Sequence, residues 1–101
     1  MPRGYEPVGR TTTDILTSGV KSADVAIKSA PGEVYWISIS DTAALAVEIN
    51  DSTDNGGTDK WAVNIPADGY GMWIFDPPIP CALGIYLDVS TGTCKVVVGY
   101  K

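Results

Sequence analysis

Apolar residues recur at every second position along most of this chain, and clusters of Gly, Pro, Asn, Asp and Ser interrupt them every ~8–12 residues. A period of two puts alternate side chains on opposite faces of an extended strand, whereas a helical face needs a period near 3.6. The pattern therefore predicts an all-β chain in which each strand offers one apolar face to a shared core. With 101 residues there is room for about one domain.

The alternation resolves into seven main strands, each with its own expected core face. Residues 20–28 align Ala23, Val25 and Ile27, and Ser29-Ala30-Pro31-Gly32 turns the chain, Pro fixing φ and Gly accepting a positive one. In residues 33–40, Tyr35, Ile37 and Ile39 alternate with Val34, Trp36 and Ser38, so Trp36 is expected near a sheet edge or an interface. Residues 44–50 direct Leu45, Val47 and Ile49 inward and Ala46, Glu48 and Asn50 outward; the segment is short for a helix. Residues 60–65 align Trp61, Val63 and Ile65.

Residues 70–75 are apolar on both sides, with Tyr70, Met72 and Ile74 opposite Trp73 and Phe75, which predicts burial on both faces. The run Asp76-Pro77-Pro78-Ile79-Pro80 cannot be a central strand, because proline lacks a ladder donor; it is expected to be a stiff connector between sheets. Residues 81–89 point Leu83, Ile85, Leu87 and Val89 inward, and residues 94–100 share Val96, Val98 and Tyr100. Treating Ser90-Thr91-Gly92-Thr93 as a hairpin turn puts Cys94 opposite Asp88 and Cys81 opposite Lys101. The thiols then lie ~20 Å apart, too far for a disulfide. Two free buried thiols fit a reducing compartment.

Residues 1–19 break the pattern. Gly, Pro and Thr occur there without sustained period, and Arg3 and Arg10 stand beside the single early acid Glu6, so the segment reads as an extended, locally positive N-terminal arm. The expected organisation is an arm over residues 1–19 and a single-domain antiparallel β-sandwich, jelly-roll-like, over residues 20–101. Such a short chain buries only roughly 60–70% of its unfolded surface, so further burial against other copies or a partner is expected.

Composition excludes several functions. Twelve acids against seven bases give a net charge of −5, which opposes binding to nucleic acid or to an anionic membrane surface. Histidine is absent, removing the common general base and metal ligand together with Ser-His-Asp and Cys-His triads. No stretch approaches the ~18 apolar residues of a membrane span, and the first residues lack a signal-peptide core. No spacing singles out a pair of catalytic acids, so no enzyme and no cofactor are expected.

One loop has the look of a cation site. On the calcium-loop template Asp51, Thr53 and Asn55 take positions 1, 3 and 5, Gly56 the turn position 6 and Asp59 position 9, but Ala62 stands at position 12 where a bidentate Glu is required. The preferred reading is therefore a plain polar hairpin loop, for which Asn-Gly-Gly is a strong signal, and no metal is expected; Asp51, Asn55 and Asp59 are the candidate ligands of the alternative, a weak hard-cation site. Among the aromatics, Trp36 and Trp73 oppose their strands' most regular faces and are the candidate surface residues.

The positive arm, the segment from Ile27 to Ile39 around Ala30-Pro31-Gly32, the 51–59 loop, the Pro-Pro run leading into Leu83-Gly84-Ile85-Tyr86-Leu87-Asp88-Val89, and the closing Val96-Val97-Val98-Gly99-Tyr100-Lys101 resemble small structural proteins of tailed bacteriophages. These are β-sandwich or jelly-roll capsid decoration, cement or knob proteins. The resemblance spans roughly residues 20–101 and rests on the order of strands and turns, with no invariant motif. It implies a non-enzymatic virion component, assembled in the host cytoplasm and often trimeric, that binds the major capsid protein outside the head and clamps capsomer junctions. The expected capsid or subunit contacts are Arg3, Tyr5, Arg10, Trp36 and Trp73. Two other functions fit the same residues: a carbohydrate- or receptor-binding module using Trp36 or Trp73 as a stacking platform, and a neck, tail or fibre component of the same virion.

Overall fold

A computed structural model describes residues 14–54 and 56–101. Arg3, Tyr5 and Arg10 of the expected arm, and Asn55 of the candidate cation loop, lie outside the described residues. Eight strands form among the described residues: β1 (Leu16–Thr17), β2 (Val25–Lys28), β3 (Gly32–Ser40), β4 (Leu45–Asp51), β5 (Thr58–Ile65), β6 (Tyr70–Cys81), β7 (Ile85–Val89) and β8 (Lys95–Tyr100). There is no helix among the described residues. The strands make two four-stranded antiparallel sheets in the orders β1-β8-β3-β6 and β2-β7-β4-β5. Only β4 and β5 pair with their immediate successor or predecessor in sequence; every other connection crosses from one sheet to the other.

The two sheets enclose one core, built from the alternation seen in the sequence. Val34, Ile37 and Ile39 of β3 with Val96 and Val98 of β8 come from one sheet. Leu45, Val47 and Ile49 of β4 with Ile85, Leu87 and Val89 of β7 come from the other. Burying a branched aliphatic side chain contributes about 1.5–3 kcal/mol relative to leaving it exposed, so these central strands hold the fold together.

Several expectations are corrected in detail. Chain pairing begins before residue 20: Leu16 and Thr17 pair with Tyr100 and Gly99, the Ser18 amide donates to Val98 O at 2.9 Å, and Lys21 bridges to Val96. Within the segment expected as an arm, residues 16–18 thus hydrogen-bond along β8, and the strand expected over residues 20–28 is confined to its last four. In β3 the register jumps between Val34 and Trp36, so Tyr35 is an extra residue opposite β8. A bulge of this kind switches the side-chain phase. Hence Val34, not Tyr35, joins Ile37 and Ile39 in the core.

The proline run is also placed differently. It is the second half of β6 rather than a connector, and β6 is the edge of its sheet, where missing donors cost least. Pairing with β3 runs from Tyr70 to Ile74, lapses over residues 75–78, and resumes at Ile79 opposite Val34. Pro77 and Pro78 fall in the lapse, and the Asp76–Pro77 peptide is cis. Residues 90–93 do not form a hairpin, because β7 and β8 lie in different sheets. Cys81 instead pairs across the ladder with Gly32, and both cysteines are free and buried.

Candidate functional site

The face of the β1-β8-β3-β6 sheet that points away from the core carries an apolar stripe. Along β6, Gly71, Trp73 and Phe75 alternate with Tyr70, Met72 and Ile74. Trp73 and Phe75 pack inward, where Trp61 of β5 meets them edge-on at centroid distances of 5.5 and 5.4 Å. With that side filled, Tyr70, Met72 and Ile74 are 84%, 57% and 75% exposed. The two-sided burial expected from their pattern does not occur, because an edge strand of a two-layer sandwich has a partner layer on one side only.

Register sets what lies beside the stripe. Ile74 faces Trp36, which faces Gly99; Met72 faces Ser38, which faces Val97; Tyr70 faces Ser40, which faces Lys95. The two rows through Met72 and Ile74 hold no ionisable side chain, and Lys95 marks one end. Trp36 shares this face but is half-buried, because its indole lies on the bare backbone of Gly99. Trp73, named from sequence beside Trp36 as a surface aromatic, is on the core side. Its place is taken by Tyr70, a residue sequence reasoning assigned to the interior. No local signal in the sequence marks the difference, since both sides of residues 70–75 are apolar.

At the Tyr70 end of the stripe the 41–44, 66–69 and 90–93 turns converge around a shallow hollow of ≈ 230 Å³, lined by Ser40, Thr42, Asp68, Tyr70, Thr93 and Lys95 among others. Its floor is fixed by Asp41, whose carboxylate accepts from the hydroxyls of Thr91 and Thr93, the latter at 2.6 Å, and from the Ala43 amide at 2.9 Å. These donors favour the ionised form and hold the Asp41 carboxyl below the ordinary aspartate value of 3.8. A carboxylate held this way is a poor proton acceptor, so the arrangement ties two turns together rather than activating a threonine. The Asp68 amide donates to Thr42 O and the Asp41 amide to Gly69 O, which staples the third turn to the first. Asp68 has φ 59°, a left-handed conformation that aspartate tolerates better than most residues.

The candidate cation loop is occupied by internal bonds. Asp51 accepts from the backbone amides of Ala82, Leu83 and Gly84 at 3.0, 2.8 and 3.4 Å, chiefly Leu83 and Ala82, and these lower its pKa. Asp59 accepts from Asn50 Nδ2. Asn50, expected to face outward, is buried, and its Oδ1 has no hydrogen-bond partner among the described residues. No three acidic or cysteine side chains among the described residues converge in a metal-binding group. On the opposite sheet Asp88 pairs across the ladder with Glu48, and Asp24 accepts from the Val89 amide. Burial, then Asp24, then Glu48 raise the Asp88 pKa. Burial also raises both thiols.

Compared with family models, with curated proteins and with solved structures, the chain gives no match.

Proposed function

We propose that this chain is a non-enzymatic structural protein of a tailed-phage virion: a decoration or cement protein that binds the outside of the head, contacts the major capsid protein at capsomer junctions and acts as a homotrimer. The observation that carries the reading is the strand order. Eight antiparallel strands in the orders β1-β8-β3-β6 and β2-β7-β4-β5, with all but one connection crossing between sheets, are what a jelly-roll wrap requires. This order supports the jelly-roll form of the sandwich that the family resemblance implies. A small acidic body with an apolar outer face suits a part that works by burying surface against other proteins. On this reading the 1–13 segment, with Arg3, Tyr5 and Arg10, reaches the shell, and assembly takes place in the host cytoplasm.

The test is co-sedimentation of the purified chain with empty heads of the virus that encodes it. Saturable binding to the full chain is expected, and its loss on deletion of residues 1–13 with an unchanged far-UV spectrum. Absence of binding to heads contradicts the reading; undiminished binding by the truncated chain contradicts the role of the arm.

A second reading, glycan binding, has one observation in its favour. Tyr70 stands 84% exposed at the rim of a hollow that also offers Asp68 and Lys95, an aromatic platform beside polar groups. Binding to a glycan array that disappears with Tyr70→Ala supports it, and no signal across the array removes it.

A further inference from the structure

We propose that the proline-free half of β6, residues 70–75, is a self-association surface whose occupant is a second copy of this chain. The four sheet edges are treated unequally. β1 pairs over two residues. β2 has four residues and a register shift. β5 presents exposed Asp59 and Lys60 and a ladder jump at Lys60; its remaining residues 61–65 pair without a break, but the side chains they expose are only Ala62 and Asn64, which make no apolar stripe. The second half of β6 carries Asp76, three prolines and the lapse in pairing. Shortness, charge, proline and bulges are the devices that keep a strand edge from pairing with another chain. Residues 70–75 have none of them up to the lapse that begins at Phe75: the register is unbroken from Tyr70 to Ile74, and no side chain is charged.

The same six residues bear the exposed stripe. Tyr70, Met72 and Ile74, with Trp36 and Val97 beside them, offer an apolar area on the order of 400 Å², within the range of the largest patch on a monomer, which is often a functional one. That is about half of the ~800 Å² each partner contributes to a standard interface, and the open strand edge next to it supplies main-chain donors and acceptors for the rest. The patch is the centre of an interface rather than the whole.

Charge identifies the occupant. The chain carries −5 overall, and Asp24, Glu48 and Asp88 crowd the opposite sheet, where Asp88 already resists ionisation. Two copies meeting through such surfaces would oppose carboxylates. The rows through Met72 and Ile74 are uncharged, so two molecules of like sign approach there without that repulsion. A basic partner would instead be recognised by the acidic faces. The self-contact extends the multi-copy part of the proposed function and rests on it only for what the assembly decorates.

Sedimentation velocity of the full chain through the micromolar range tests the inference. The wild type is expected as a discrete oligomer, and Met72→Lys and Ile74→Lys are each expected at the 10.7 kDa monomer. Leu83→Lys, at a residue 64% exposed in the β6–β7 turn, is expected to leave the oligomer intact. The substituted side chains are solvent-exposed, so far-UV spectra should match; Met72→Ser and Tyr70→Ser repeat the test without adding charge. A wild type that stays monomeric overturns the proposal, as does an oligomer that survives all four stripe substitutions. An oligomer that breaks with Met72→Lys yet fails to bind heads supports the self-contact and overturns the decoration reading.

Discussion

Replacing Gly99 by alanine sets two physical effects against each other, and the structure says which wins. Alanine in a strand interior gains roughly 0.5–1 kcal/mol over glycine through backbone entropy. At Gly99, however, the added Cβ would lie 2.1 Å from Nε1, 2.2 Å from Cε2 and 2.6 Å from Cδ1 of Trp36. Carbon contacts settle near ~3.5–4.0 Å, so the indole must retreat by more than about 1 Å from the face it covers. Overpacking of this size costs about 1–3 kcal/mol. The net expectation is a loss centred on about 1 kcal/mol and reaching about 2.5 kcal/mol, or a fall in Tm of roughly 4–8 °C at the centre for a chain of this length. Urea and thermal unfolding followed by far-UV circular dichroism at fixed protein concentration measure it, because the tryptophan signal itself changes. Gly92→Ala, with nothing within 4 Å, should be neutral or slightly stabilising. Trp36→Leu should recover part of the loss when combined with Gly99→Ala. If Gly99→Ala is as stable as the wild type, Trp36 does not plug the sheet and is free to serve as the surface aromatic its sequence position implied.

Three further outcomes follow from the electrostatics. Asp51 and Asp41 have depressed pKa values, so their contribution is present above the unfolded value of 3.8 and disappears as pH falls through the folded one. Acid unfolding of the wild type should therefore begin below about pH 4, and Asp51→Ala should lower Tm at neutral pH but not at the acid end; an equal loss at both pH values would contradict the amide bonds. Asp88 shifts the other way: its penalty is full above the raised pKa and fades as pH falls through it. Asp88→Asn should raise Tm at pH 7 and lose that advantage on acidification, whereas a destabilised variant at pH 7 would contradict the crowding by Asp24 and Glu48. Both thiols are buried and held protonated, so iodoacetamide should label neither cysteine in the native protein and both after unfolding without reductant; native labelling or a missing thiol contradicts this.

The legible parts of the fold were those where one period ran unbroken. Leu45, Val47 and Ile49, or Ile85, Leu87 and Val89, alternate without interruption and form the core as read, whereas Leu83, read inward with the latter three, is exposed in the β6–β7 turn. Bulges were not legible, since an extra residue such as Tyr35 changes the phase without changing composition. β1 escaped because two residues carry no period, and it is held mainly by backbone bonds and Ser18 to β8. The proline run was correctly barred from a central position, but a strand edge also satisfies that bar. The candidate site was the least legible part. Tyr70, Met72 and Ile74 have the composition of core residues, and only the finished sandwich shows that no layer covers them. Asp51 and Asp59 read as ligands by spacing, while backbone amides and Asn50 already occupy them.

The most direct test of the proposed function is a cryo-EM reconstruction of tailed-phage heads incubated with this chain. The expected result is sandwich density outside the shell at capsomer junctions, with residues 70–75 of β6 buried where copies of the chain meet. Heads bare of the chain, or bound copies whose β6 edge faces solvent, would contradict it.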